Sequence, residues 1–185
     1  MEALKKDKLY TYADYVKWDT EERYELIDGI PYLMTSPTFE HQDISGNLYG
    51  LLWNFLRGKP CKVLYAPFDV RLNAESADDT MVQPDILIVC DKSKIEKNCI
   101  TGAPDMVIEI LSPSTSRHDR VRKFNKYLQV GVREYWIVCP DDKTVETHIL
   151  QNGAYITKRY EENDTIHVHI LEGCKINLSD VFIEE

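Results

Sequence analysis

Gly102-Ala103-Pro104-Asp105-Met106-Val107-Ile108-Glu109-Ile110-Leu111-Ser112-Pro113-Ser114-Thr115 is the segment on which the fold turns. From Met106 to Leu111 it is apolar on alternate faces, the pattern of a central strand covered on both sides, and one carboxylate interrupts it. A second such run, expected as a strand over Val82–Cys90, carries Asp85 immediately ahead of Ile86-Leu87-Ile88-Val89-Cys90. A carboxylate placed there loses hydration at a cost, unless a cation or metal compensates. Glu109 shares its strand face with Val107 and Leu111, so nothing local relieves it.

Two kinds of partner answer that need. Either Glu109 forms a buried ion pair with a Lys or Arg for structure alone, or Asp85 and Glu109 lie on neighbouring strands and bind a hard divalent cation, typically Mg2+, through oxygen. Asp105 also follows a proline, but four residues along one strand put it roughly 13 Å from Glu109, too far to share a metal.

Outward from this core, a short helix is expected over Thr11–Trp18 and a β-hairpin over 24–34, because Asp28-Gly29 between strand-like runs is a strong turn signal. A helix follows over about Glu40–Leu56, with Ile44, Leu48, Leu51, Leu52 and Phe55 at helical spacing. Further strands are expected near 61–66, 68–72, 134–139, 145–150, 154–160 and 166–170. Asn73–Thr80 and Asp91–Ala103 read as loops. A second amphipathic helix over about Ser116–Val130 stops at Gly131. Val121, Phe124 and Leu128 form its expected buried stripe, flanked by Lys123, Tyr127 and Arg120, with Arg122 and Lys126 on the more exposed side. Lys123 either bends toward the sheet edge or snorkels along the helix surface. This mixture defines an α/β (α+β) class with a sheet flanked by helices, in one domain over 1–185.

Composition narrows the function classes. The chain has 185 residues, 43% hydrophobic and 29% charged, as expected of a globular domain. No apolar run approaches a membrane span, and the N-terminus lacks a signal-like stretch, so a cytoplasmic protein is expected. Five scattered cysteines without a close pair argue against a disulfide framework and against zinc. The net charge of −9 opposes simple nucleic-acid binding. Against this, Arg117, His118, Arg120, Arg122, Lys123 and Lys126 cluster within ten residues, as a solvated helix face or as a contact surface. Glu25 reads as an exposed strand carboxylate, and His41 as a hydrogen-bonded core residue or a ligand.

The ordered blocks YELIDG (24–29), Ser36-Pro37 with Glu40-His41-Gln42, VQPDILIV (82–89), GAPDMVIEILSPST (102–115) and KFNKYLQVGVREYWIV (123–138) resemble the Uma2 family, which carries the description "putative restriction endonuclease" and lies within the PD-(D/E)XK nuclease superfamily. The resemblance runs from about Tyr10 to Val181. It implies a restriction-endonuclease-like mixed sheet with an added antiparallel C-terminal strand set. It also implies a metal site at Asp85 and Glu109, with Ile110 lending its carbonyl. The motif's lysine position is Leu111 here, so the resemblance implies that the lysine has moved to Lys123. Glu25, His41 and Tyr127 match site-associated family positions. Ile30 and Cys139 depart from the family pattern, each where an acid is common.

The expected activity is Mg2+-dependent hydrolysis of DNA, with Mn2+ able to substitute. In it Lys123 orients water or stabilises charge, Glu25 completes the metal shell or accepts a proton, and His41 touches the phosphate. Arg117, Arg120, Arg122 and Lys126 are the expected backbone contacts. The alternatives are binding of nucleic acid or a protein partner without turnover, and hydrolysis of another phosphate ester. A homodimer is expected by analogy with two-strand cutters.

Overall fold

The structure is a computed structural model that describes residues 8–112 and 118–183. In chain order it contains α1 (Tyr12–Tyr15), β1 (Tyr24–Ile27), β2 (Ile30–Leu33), α2 (Phe39–Leu56), β3 (Lys62–Tyr65), β4 (Asp69–Arg71), β5 (Met81–Val82), β6 (Ile86–Val89), β7 (Cys99–Thr101) and β8 (Met106–Ile110). After these come α3 (Phe124–Val130), β9 (Glu134–Cys139), β10 (Thr144–Gln151), β11 (Ala154–Tyr160), β12 (Thr165–His167) and β13 (Lys175–Asn177). The main sheet runs β11-β10-β9-β8-β6-β3, a second sheet runs β2-β1-β5-β4-β7, and β12 pairs with β13 alone. This is the mixed α+β architecture expected from the sequence.

Alternation along the main sheet builds two cores. One face (Ile86, Ile88, Met106, Ile108, Trp136) packs on Ile44, Leu48, Leu52 and Leu56 of α2. These four recur every fourth residue, and each contributes about 1.5–3 kcal/mol by leaving water. The other face (Leu87, Val89, Val107, Tyr135, Ile137) packs on Tyr127 of α3. Strands β8 and β9 are parallel, so the chain between them must cross over the sheet. That crossover carries α3, and it brings the helix back across the strand that bears Glu109.

Several expectations need correction. Val82–Cys90 is not one strand: β5 joins the second sheet and β6 the main one. Pro84 lies between them and has no N–H for a ladder, the Gln83 N–H goes to Glu25 Oε1, and the Asp85 carbonyl accepts from Ala66. The loop expected over 91–103 contains β7, parallel to β4 and too short to show a period. Of the expected C-terminal strand set, β10 and β11 extend the main sheet, whereas β12 pairs with β13, which was not foreseen. The crossover helix opens as a π-helical turn over His118–Lys123; its expected start near Ser116 lies outside the described residues. A π turn closes rings between residues five apart, which aligns Val121 with Lys126 rather than with Phe124. Val121 is accordingly exposed, and the buried positions are Lys123 and Tyr127.

Cys61 and Cys90 form a disulfide, against the reading of dispersed thiols. Strand register explains it: Lys62 pairs with Val89, which sets residue 61 opposite residue 90 across a gap the sequence does not reveal. Cys99, Cys139 and Cys174 are buried, as small hydrophobes would be. At the first hairpin Asp28 and Gly29 both have positive φ (53° and 75°), the two-residue turn that Asp-Gly favours. Among the described residues no helix is long and apolar enough to cross a membrane.

Candidate active site

Antiparallel register pairs Ile86 with Ile108, so Asp85 and Glu109 occupy opposed positions at the ends of β6 and β8. Each is fixed by a different helix. Thr38 caps α2 by accepting the His41 N–H at 3.2 Å, which sets the first turn of that helix against the sheet. His41 Nε2 then lies 3.2 Å from Asp85 Oδ2, and the same oxygen accepts the Ile110 N–H at 2.8 Å. Ile110 thus meets Asp85 through its amide.

On the other face, the π turn ends at Lys123 and α3 carries Tyr127, four residues further along. Lys123 Nζ sits 3.0 Å from Glu109 Oε1 and 2.8 Å from Glu25 Oε1. Tyr127 OH donates to Glu109 Oε1 at 2.6 Å, and the Gln83 N–H donates to Glu25 Oε1 at 2.8 Å. Glu25, Glu109, Lys123 and Tyr127 are all buried. Two carboxylates in that setting require the ammonium between them. Burial, with the Glu109 and Glu25 charges adding to it, drives the Tyr127 phenol well above its usual range, so it acts as a donor. The Asp85 side chain is 19% exposed against 5% for Lys123. The site therefore opens at Asp85 and closes behind Lys123.

The structure brings together Glu25, Glu109, Lys123 and Tyr127 in one cluster, with Asp85 and His41 beside it. Glu25 is buried rather than an exposed strand residue. Arg122 and Lys126 lie outside the cluster and tie the helix to the first hairpin: the Arg122 guanidinium stands 4.8 Å from the Tyr32 ring centre, and Lys126 pairs with Asp28. Arg117 and the Arg120 side chain lie outside the described residues. Asp105 accepts from the Cys90 N–H at 2.7 Å and from Arg133 at 3.2 Å, a structural anchor apart from the site.

Sequence reading missed Gln83. Its backbone fixes Glu25, while its side chain donates to Asp69 at 2.8 Å, and Tyr12 OH donates to Asp69 at 3.1 Å. Burial raises the Asp69 carboxyl above its usual range. The available signal was an amide side chain inside an otherwise apolar run.

A divalent cation is the group such a fold implies. Among the described residues, no set of three or more His, Cys, Asp or Glu side chains is placed to enclose a metal. Mg2+, however, keeps several waters and is usually held by one or two carboxylates plus substrate phosphate. Two carboxylates at opposed strand positions, one of them partly open to solvent, are hard oxygen donors that fit that mode and not an all-protein cage.

The architecture is that of a restriction-endonuclease-like nuclease fold. It superposes on the crystal structure of a putative nuclease belonging to DUF820 from Anabaena variabilis ATCC 29413, with a TM-score of 0.76 at 21% identity, covering 93% of this chain and 97% of that one. Residues 12–179 match the model of the Uma2 family, "Putative restriction endonuclease", and the chain belongs to that family. It is also 26% identical over 159 residues to the uncharacterized protein slr1290 of Synechocystis sp. (84% of this chain, 82% of that one).

Proposed function

We propose that the protein is a metal-dependent endonuclease that hydrolyses DNA phosphodiester bonds at Asp85, Glu109 and Lys123. The observation that carries the reading is the Lys123 ammonium, 3.0 Å from Glu109 although the adjoining motif position is Leu111. A lysine delivered by the crossover helix supplies the charge that the strand lacks. Asp85 and Glu109 would hold Mg2+ or Mn2+, which when bound polarises a phosphodiester and lowers the pKa of a water. Lys123 orients the attacking water or stabilises developing negative charge, a task for a fixed cation in a closed site. Glu25 holds Lys123 from the other side. Tyr127 keeps the Glu109 carboxylate turned by donating to it. His41, itself buried, fixes Asp85, the more open carboxylate, where a phosphate would arrive.

The test is nicking of supercoiled plasmid with Mg2+ or Mn2+ by wild type, Asp85→Asn and Glu109→Gln. Both variants keep the local shape, and each is expected to lose more than the ten- to hundredfold that removal of an outer partner costs. Nicking that persists in both overturns the assignment. Calorimetry with Mn2+ should show Glu109→Gln losing most of the binding heat. A second reading is nucleic-acid or protein binding without turnover, within which the net charge of −9 favours a protein partner. It wins if wild type binds DNA but nicks nothing with either metal.

A further inference from the structure

Next to the open side of the site runs a line of aromatic side chains in which Tyr49 packs partly on the core while Tyr65 and Trp53 stand exposed. Tyr65 is the last residue of β3, the edge strand of the main sheet, and it is 58% exposed. It pairs with Ile86, the residue after Asp85, and the next amide, Ala66 N–H, donates to the Asp85 carbonyl at 3.1 Å. Its ring meets that of Tyr49 at 4.7 Å between centres, tilted by 71°. Tyr49 is on α2, two turns or about 12 Å from His41. One turn further along, Trp53 is 46% exposed, with the Arg57 guanidinium 5.0 Å from its ring centre. Tyr65, Tyr49, Trp53 and Arg57 thus form a stripe that leads away from Asp85 and ends in a positive charge.

We propose that this stripe is a stacking platform for the unpaired bases of single-stranded DNA entering the site, which makes a single strand, rather than a duplex, the preferred substrate. The proposal rests on the nuclease reading for where the scissile phosphate lies. The exposed rings argue for the single strand, because stacking uses base faces that only an unpaired strand exposes. A chain of net charge −9 repels both forms, but the dependence on phosphate neutralisation is smaller for a single strand than for a duplex. The tilted contact with Tyr49 holds the Tyr65 ring in place, and Arg57 holds Trp53 while offering a donor to a phosphate.

Fluorescence anisotropy in EDTA, with a labelled oligo(dT) strand and a duplex of equal length, tests the idea without cleavage. Wild type should bind the strand at least roughly tenfold tighter than the duplex. Tyr65→Ala and Trp53→Ala should each weaken strand binding by about 5- to 100-fold, with duplex binding unchanged. Tyr65→Phe keeps the ring and should stay near wild type. The inference falls if the duplex binds tighter, if the alanine variants bind the strand normally, or if Tyr65→Phe is as damaging as Tyr65→Ala. It also falls if sedimentation shows the alanine variants dissociating a dimer while strand binding is intact. Strand binding through these rings with no nicking under any metal leaves the inference standing and removes the nuclease reading. Asp85-dependent nicking of duplex with no strand preference does the reverse.

Discussion

Glu109 and Glu134 are buried carboxylates on adjacent strands of the same sheet, and they have solved the same problem in different ways. Glu109 faces α3, where Lys123 and Tyr127 reach it. Glu134 faces the other core, where the Trp136 indole donates at 2.8 Å and the Ile170 N–H at 2.9 Å, pinning the C-terminal segment to β9. One carboxylate answers to an ammonium shared with a second acid; the other answers chiefly to neutral donors. Burial alone therefore does not distinguish the two acids. The cation beside Glu109 and the neighbouring Asp85 do.

The comparison is broken most severely by removing the cation. Lys123→Met takes away the ammonium held between Glu25 and Glu109, leaving Tyr127 and Gln83 as neutral donors, and should cost about 3–5 kcal/mol in urea unfolding. A loss below about 1 kcal/mol would mean that the two acids do not depend on the lysine. The sharper form of the experiment restores the ammonium at the strand position: Leu111→Lys added to Lys123→Met sets it two residues from Glu109 on the same face. It should recover roughly half of the lost stability, because the desolvated carboxylate regains an opposite charge. No recovery would show that the helix supplies geometry that the strand cannot.

Glu134 should respond less, and through pH. Burial raises its carboxyl above the ordinary value of 4.5, while the Ile170, His169 and Trp136 donors pull the other way. A raised folded-state value means that the native protein holds a proton the unfolded chain has released. Stability attributable to this group is therefore fullest below 4.5 and falls as pH rises through the raised value. Glu134→Gln removes the titration but also one of the acceptors. It should cost about 1–3 kcal/mol near neutrality and flatten the fall in unfolding free energy between acid and neutral pH. An unchanged slope would assign that pH dependence to other groups.

Setting Glu134 beside Asp85 explains what the sequence could convey. Asp85 opens Ile-Leu-Ile-Val-Cys and Glu134 opens Tyr-Trp-Ile-Val-Cys, patterns a chain reader cannot tell apart. Both strands were foreseen, yet only coordinates show that one acid meets His41 and the other an indole. The hairpin, α2 and the six strands of the main sheet follow from local patterns that tertiary context reinforces. Periodicity left Lys123 on the flank of the stripe, bent toward the sheet or lying along the helix, because it pointed to Val121 as the buried residue, and the π turn shifts that phase. Gln83 and the Cys61–Cys90 bond depend on register between distant strands, and register leaves no mark on spacing.

The smallest effect concerns two basic residues of the crossover helix, Arg122 in its π turn and Lys126 in α3. Lys126 pairs with Asp28, which is 62% exposed, and Arg122 lies over Tyr32. Both contacts join the helix to the first hairpin, and the hairpin carries Glu25. Exposed pairs of this kind contribute about 0.2–1 kcal/mol, so Lys126→Ala should shift the unfolding midpoint only slightly. If Lys126 leaves Asp28 to meet a phosphate, the variant should also lower the slope of log affinity against log salt by about 0.7 for a single strand. An unaltered salt slope with the same slight destabilisation would confine Lys126 to holding the hairpin. The negative charge of Asp28 would then be the reason this helix face stays closed to DNA.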